Sequence, residues 1–423
     1  MSNAKPPFTG PAPRHRRVGA DVYPAWRVAV LGVMALLMLL PVTLPVPVLR
    51  ELVAERFGVS ELLTSLFMSI NMVGAVLAAP LAGALADRFG RRPLWIAAAL
   101  ALDALCFLGL TREVPFSVFL AVRFVEGAAH IFALSLLLGL AAGARPEAQR
   151  GVVMGATGSG LLLGVATGAP LGGRLGAADP LTPLYAGAAV VAVAAVLAAL
   201  LLRETEGRER ARPGLGEIVR LVRAHRVVAL PLAFSFADRF TVGFFTSTFP
   251  LFLRSIHELP PPRIGLLIAV FMLPFAALSF PFGLLSQRTS RALLLCGGSF
   301  VYGCGVASLG FWPTEALFGV MIATGVAAAV MFVPSMLFTL DVTPEAVRTT
   351  SMGAFNAAGS LGFIVGPVTG GLVSQGVAAS HGWEAGYAAA FGVAGGFKVL
   401  LALGAFGAIR RFERRARRER DGV

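Results

Sequence analysis

The apolar stretch FLAVRFVEGAAHIF carries an arginine, a glutamate and a histidine at helical spacing. Arg123, Glu126 and His130 lie three and four residues apart, so on a helix they share one face. Charges inside a membrane-length apolar run are costly and usually mark function. A buried carboxylic acid can keep its proton, and a neighbouring arginine favours giving it up, so Glu126 can gain and lose one. His130, an imidazole that is neutral by default, can share that proton. The alternative is a closed Arg123–Glu126 ion pair with His130 bonded to a backbone carbonyl. A second constellation lies in FSFADRFTVGFF, where Asp238 and Arg239 are adjacent. Neighbours on a helix point about 100° apart, so the two cannot serve one partner. Arg239 is the better match for an anionic or polar group in a cavity. Phe245, with FMLPF at Phe271 to Phe275, could line an apolar cavity, although Phe in a membrane helix more often faces lipid or core. Asp103 and Lys398 also fall inside apolar runs, and Asn71 and Asn356 are expected to bond helix to helix.

The elements that position these groups follow from composition. Of 423 residues, 56% are hydrophobic and 14% charged, against about 25% charged in soluble proteins. Twelve apolar runs begin near Trp26, Leu62, Pro93, Val114, Gly151, Pro183, Val227, Ile264, Ala292, Ala316, Thr349 and Trp383. About 20 apolar residues cross the hydrocarbon as helix, and a backbone in lipid must satisfy its own hydrogen bonds. The first run is too long for a cleavable signal peptide and lacks a small-residue cleavage site. Cys106, Cys296 and Cys304 all lie in spans, which offers neither a disulfide framework nor metal-ligand spacing. No metal or cofactor is expected.

The net charge of +13 does not call for nucleic acid. With twelve spans both ends lie on one side, and 27 of the 36 Lys and Arg fall in the tails and even-to-odd loops. Only Arg50, Arg56, Arg112, Arg174, Arg254 and Arg263 lie on the opposite side. That bias places both termini in the cytoplasm. The basic tail RRFERRARRER suits anionic headgroups. An excess of 34 Arg over 2 Lys suggests a GC-rich bacterial genome and hence the inner membrane.

The chain also repeats itself. RPEAQRGVVMGA at Arg145 is echoed by TPEAVRTTSMGA at Thr343, and Gly164, Gly168, Gly172 and Gly173 fall opposite Gly362, Gly366, Gly370 and Gly371. Two halves of equal parity make parallel repeats about an axis along the membrane normal. The expected divisions are a tail at 1–22, a six-helix half at 23–202, a link at 203–226, a second six-helix half at 227–409 and a basic tail at 410–423. Within the link, Gly216 to Arg226 alternates apolar and basic residues, as an interfacial helix does. In span 5, glycines at every fourth position from Gly160 to Gly176 form a ridge that lets another helix approach. Span 11 offers Gly362, Gly366 and Gly370. Static packing and sliding are both open.

The loop GALADRFGRRPLW resembles the signature loop of the major facilitator superfamily through Gly83, Leu85, Asp87, Arg88, Gly90, Arg91 and Arg92. A degraded copy, GLLSQRTSRAL, keeps Gly283, Leu285, Arg288 and Arg291 but has Gln287 for the acid. With twelve spans and the repeat, the resemblance covers almost the whole chain. It implies an all-α membrane fold of two parallel six-helix repeats. It also implies that Asp87 latches the halves in one conformation, with Arg88, Glu147, Arg150, Glu345 and Arg348 in the same gating loops. A plain basic anchor through Arg91 and Arg92 is the alternative. GFIVGPVTGG, Gly362 to Gly371, fits the family's antiporter pattern, whereas GVATGAPLGG in span 5 has its proline displaced to Pro170. Arg123 with Gly127 resembles the family's span-4 motif, implicated in proton transfer. The family places spans 3 and 12 at the periphery, which puts Asp103 and Lys398 outside the pathway.

The function expected is secondary transport by alternating access, as proton-coupled export of a small, largely apolar organic compound. The alternative is proton symport of an organic anion, with Arg123 or Arg239 as the clamp. The expected partners are the substrate, protons and the bilayer, and no nucleic acid, with the protein a monomer. No H-E-x-x-H, G-x-S-x-G or paired ligand set argues for an enzyme.

Overall fold

The computed structural model describes residues 24–143, 149–204, 215–286, 288–344 and 347–421; for 83, 84, 86–89, 150, 215, 219, 349 and 416–421 it describes the backbone alone. Most of those residues are helical, with no strand among them. The first half holds span 1 (Ala25–Val48), span 2 (Glu61–Ala82), span 3 (Arg92–Leu110), span 4 (Phe116–Ala142), span 5 (Gly151–Leu175) and span 6 (Thr182–Leu201). The second holds span 7 (Arg226–Ser255), span 8 (Pro261–Leu285), span 9 (Leu293–Phe311), span 10 (Thr314–Asp341) and a long helix, Thr350–Arg415. Gly382 has φ 83° and ψ 163°, which bends that helix into spans 11 and 12. A side chain would strain such a backbone, so glycine makes the turn there. The fold is thus twelve transmembrane helices in two six-helix repeats.

Helix ends are set locally. Spans 3, 6 and 8 carry proline in their first positions, where a missing N–H costs nothing. Span 7 breaks at Ser247, with Pro250 withdrawing a backbone donor just beyond. In the link, helix Leu215–Ala224 buries Leu221 while Glu217 and Arg220 stay exposed. Leu105, Leu200, Phe280 and Leu400 are exposed around the outside, as a surface that meets lipid chains requires.

The repeated glycines define the packing. A Cβ on Gly160, Gly164, Gly168 or Gly172 would overlap the backbone carbonyl of Gly32, Leu36, Leu40 or Leu44 in span 1. In the second half, a Cβ on Gly362 or Gly366 would overlap the carbonyl of Phe236 or Phe240 in span 7, and one on Gly370 the Thr248 hydroxyl. The ridge therefore seats span 5 on span 1, and span 11 on span 7, inside each half. The next glycine of each repeat crosses between halves: a Cβ on Gly173 would overlap the Pro261 carbonyl of span 8, and one on Gly371 would lie 2.9 Å from Leu62 Cα in span 2. Gly168→Ala should accordingly cost about 1–3 kcal/mol through overpacking. Gly155→Ala, with open space around its Cβ, should be neutral or slightly stabilising. Thermal midpoints of the two purified variants check this, and equal midpoints would remove the packing role.

Polar contacts between the halves gather toward the face opposite the link, here the far face. Arg254 Nε donates to Glu51 Oε1 at 2.5 Å, Tyr387 OH to Glu61 Oε1 at 2.8 Å, and Ser247 Oγ to Ser65 Oγ at 2.9 Å. Arg50 also bonds Ser255 Oγ. Deeper in, Ser69 Oγ donates to the Ile364 carbonyl at 2.8 Å.

On the link face, Gly90 and Arg91 both take left-handed backbone, φ 61° and 58°, and reverse the chain between spans 2 and 3. Arg91 is exposed, but Arg92 is buried; its N–H donates to Glu204 Oε2 at 2.7 Å. Arg92 is thus tied to the start of the link. Arg291, in the degraded second loop, pairs with Asp341. Arg348 is exposed. Glu147 and Glu345 lie outside the described residues, as do the side chains of Asp87, Arg88 and Arg150, and Gly83 is described by its backbone alone, so the latch itself lies outside them.

Candidate functional site

Between the halves lies a cavity of about 310 Å³. Spans 1, 2, 4 and 5 of one half and 7, 8, 10 and 11 of the other line it. An adjoining lobe of about 260 Å³ shares Val165, Arg239, Phe271 and Phe363 with it. The lining is mainly apolar, through Met68, Met72, Ile131, Phe245, Phe271 and Met321, with Arg123, His130 and Arg239 as its cationic or titratable members. Phe245 stacks on Phe271 at 4.8 Å between ring centres. Of the aromatic residues singled out in the sequence, Phe245 and Phe271 therefore reach the cavity; Phe363 was not anticipated.

One wall is built on span 4. Gly127 lets spans 2 and 4 touch, since a Cβ there would overlap the Asn71 carbonyl. That approach brings the Asn71 amide onto Glu126 Oε2. Arg123 Nη1 binds the same oxygen at 2.6 Å, and its guanidinium sits 4.3 Å from the centre of the Phe67 ring. The closed ion pair is thus formed in this state. His130 is held differently from either expectation. Its Nδ1 lies 2.9 Å from Asp103 Oδ2 of span 3, while Nε2 and Asp103 Oδ1 have no hydrogen-bond partner among the described residues. Arg123, Glu126, His130 and Asp103 are all at least 96% buried.

Asp103, Glu126 and His130 each offer a ligand atom within 4.8 Å of the others. The Arg123 guanidinium on Glu126 opposes a divalent cation there, because like charges at this distance in a weakly polar interior repel strongly. The same groups are well arranged to hold and pass a proton.

The opposite wall is built on span 7. Asp238 pairs with Lys398 of span 12, whose ammonium is fully buried and 5.2 Å from the Phe234 ring centre. Arg239, one residue on, reaches both lobes. Its guanidinium makes no hydrogen bond or ion pair among the described residues; its recorded contact is the Phe363 ring, 5.8 Å away. Tyr302 donates to Thr241 Oγ1 at 3.0 Å beside the second lobe. Neither Asp103 nor Lys398 lines the cavity, yet each fixes a residue on spans 4 or 7. Asn356 is exposed and makes no hydrogen bond among the described residues, so the helix-to-helix bond expected of it is not formed.

Two membrane-spanning repeats enclosing a shared central cavity define a membrane carrier. The family model of the Major Facilitator Superfamily matches residues 31–259 and 231–422, and the chain belongs to that family. It is 28% identical over 179 residues to the inner membrane transport protein YajR of Escherichia coli, covering 40% of this chain and 34% of that protein. It is 28% identical over 132 residues to the multidrug transporter AQR1 of Candida glabrata, covering 31% of this chain and 22% of that one. The chain thus matches about a third or less of the length of these relatives. Among solved structures, a bacterial homologue of the lysosomal transporter Spinster, inward-facing and unoccupied, superposes with TM-score 0.80 at 17% identity, over 94% of this chain and 99% of that one. A D-xylose–proton symporter superposes with TM-score 0.72 at 18% identity, over 90% and 96%. Transporters of this family carry small molecules across a lipid bilayer.

Proposed function

We propose that the protein is a proton-coupled carrier of a small organic compound with a largely apolar body. The observation that supports this most is the buried Arg123–Glu126 and Asp103–His130 cluster, which meets the shared cavity through Arg123 and His130. A carrier driven by protons must load and release one near its substrate pathway, and buried acids next to a water-accessible cavity do this in membranes. The halves rock about the cavity, with the polar contacts of the far face holding it shut in this state. The apolar lining suits the body of the compound. Both directions named from the sequence, export and symport of an anion, use the same cluster. In liposomes preloaded with a candidate compound, an imposed pH gradient should drive its flux and a protonophore should stop it. Flux indifferent to the gradient would reject proton coupling.

The link face is the cytoplasmic one in this reading, which the bias of Lys and Arg supports. In intact cells, a cysteine replacing exposed Arg112 on the far face should react with an impermeant thiol reagent, and one replacing exposed Arg415 should not. Labelling at 415 from outside would reverse the orientation.

A further inference from the structure

The charges on the two cavity walls do not balance in the same way. On the span-4 wall, Arg123 cancels one of the two carboxylates, Glu126 and Asp103. The other is cancelled only when the cluster holds one more proton, shared among Glu126, Asp103 and His130. Asn71 of span 2 and Cys106 of span 3 are neutral neighbours. On the span-7 wall, Asp238 and Lys398 cancel, and Tyr302 is uncharged. Arg239 is left as an uncompensated cation in an apolar cavity. Isolated charge in such surroundings is expensive, and an anion supplied from outside removes the expense.

We infer that the cavity takes a small organic anion with an apolar body, its charged group on Arg239, and loads one proton on the span-4 wall with each anion. This rests on the proton-coupled reading above and selects the symport alternative within it. With neither ligand bound, the walls carry opposite charges and the cavity is neutral in sum. With both bound, each wall is neutral. The anion alone leaves the cavity net negative and the proton alone leaves it net positive, so low polarity penalises the half-loaded states. A guanidinium presents forked donors that match a carboxylate or sulfonate in two parallel hydrogen bonds. Phe245, Phe271 and Phe363 offer ring faces to the body of the compound. An organic cation would be repelled by Arg239.

Four probes with one apolar body test the class: 3-phenylpropanoate, 3-phenylpropanamide, 3-phenylpropanol and 3-phenylpropylammonium. Added at equal millimolar concentration to the full-length protein in detergent, only the carboxylate should raise the thermal midpoint, since binding to the native state stabilises it. Arg239→Gln should abolish the shift, and Arg239→Lys should retain part of it. In weakly buffered solution, binding of the carboxylate should take up about one proton per anion. No shift with the carboxylate, an equal shift with the alcohol or the ammonium probe, or a shift that survives Arg239→Gln would each overturn the anion site. A shift without proton uptake would overturn the one-for-one loading and leave the anion site standing. If the shift and proton uptake are seen but an imposed pH gradient drives no flux, the transport reading fails while both parts of this inference hold.

Discussion

Glu126→Gln should lose accumulation driven by a pH gradient while still exchanging substrate across a liposome membrane at equal pH on both sides. One proton per substrate lets each pH unit sustain about a tenfold concentration ratio. A carrier stripped of the coupling group can only equilibrate, so its ratio should fall to about one. Glutamine keeps the size of the side chain and can still accept from Arg123 and Asn71, so the helix contacts survive. The seat of substrate charge on Arg239 is on the other wall. Asp238→Asn should impair coupling less, because its carboxylate is already engaged by Lys398. The reverse ranking in paired accumulation and exchange assays would move the coupling group to span 7.

Lys398→Met should be among the most damaging single substitutions for stability. The ammonium is fully buried and compensates the Asp238 carboxylate. Removing one member of a buried ion pair leaves an uncompensated charge and costs about 3–5 kcal/mol. Replacing both members, Lys398→Met with Asp238→Asn, should recover most of that loss, as neutralised pairs in apolar surroundings often do. Thermal midpoints of the single and double variants form a double-mutant cycle. Additive losses would show that the two side chains stabilise the protein independently.

Much of the fold was written in local pattern. Run length gave the spans, and the glycine spacing gave the ridge; the break between spans 11 and 12 fell at Gly382, one residue before the expected start at Trp383. The face shared by Arg123, Glu126 and His130 followed from spacing alone. What spacing could not give was partnership across the chain. Lys398 and Asp238 are 160 residues apart, and no periodicity links them. Asp103 is 27 residues from His130 on a span expected at the periphery, yet a side chain facing inward from there still reaches span 4. The ridge was legible as a close-approach surface but not its partner, because a stripe of glycines specifies how near a helix can come and not which helix comes. Each of these gaps is a tertiary contact, which depends on how helices are arranged and not on what any one of them contains.

Proton coupling itself is most directly read from the pH inside the vesicle. Liposomes carrying the purified protein and a trapped pH dye, started at equal pH inside and out, receive 3-phenylpropanoate outside with a protonophore absent. Coupled entry predicts that the lumen acidifies in step with uptake of the labelled compound, beyond the acidification that protein-free liposomes show from passive permeation. Both the excess acidification and its link to uptake should vanish in Glu126→Gln. Protein-dependent uptake of the compound with no protein-dependent change in lumenal pH would contradict the account.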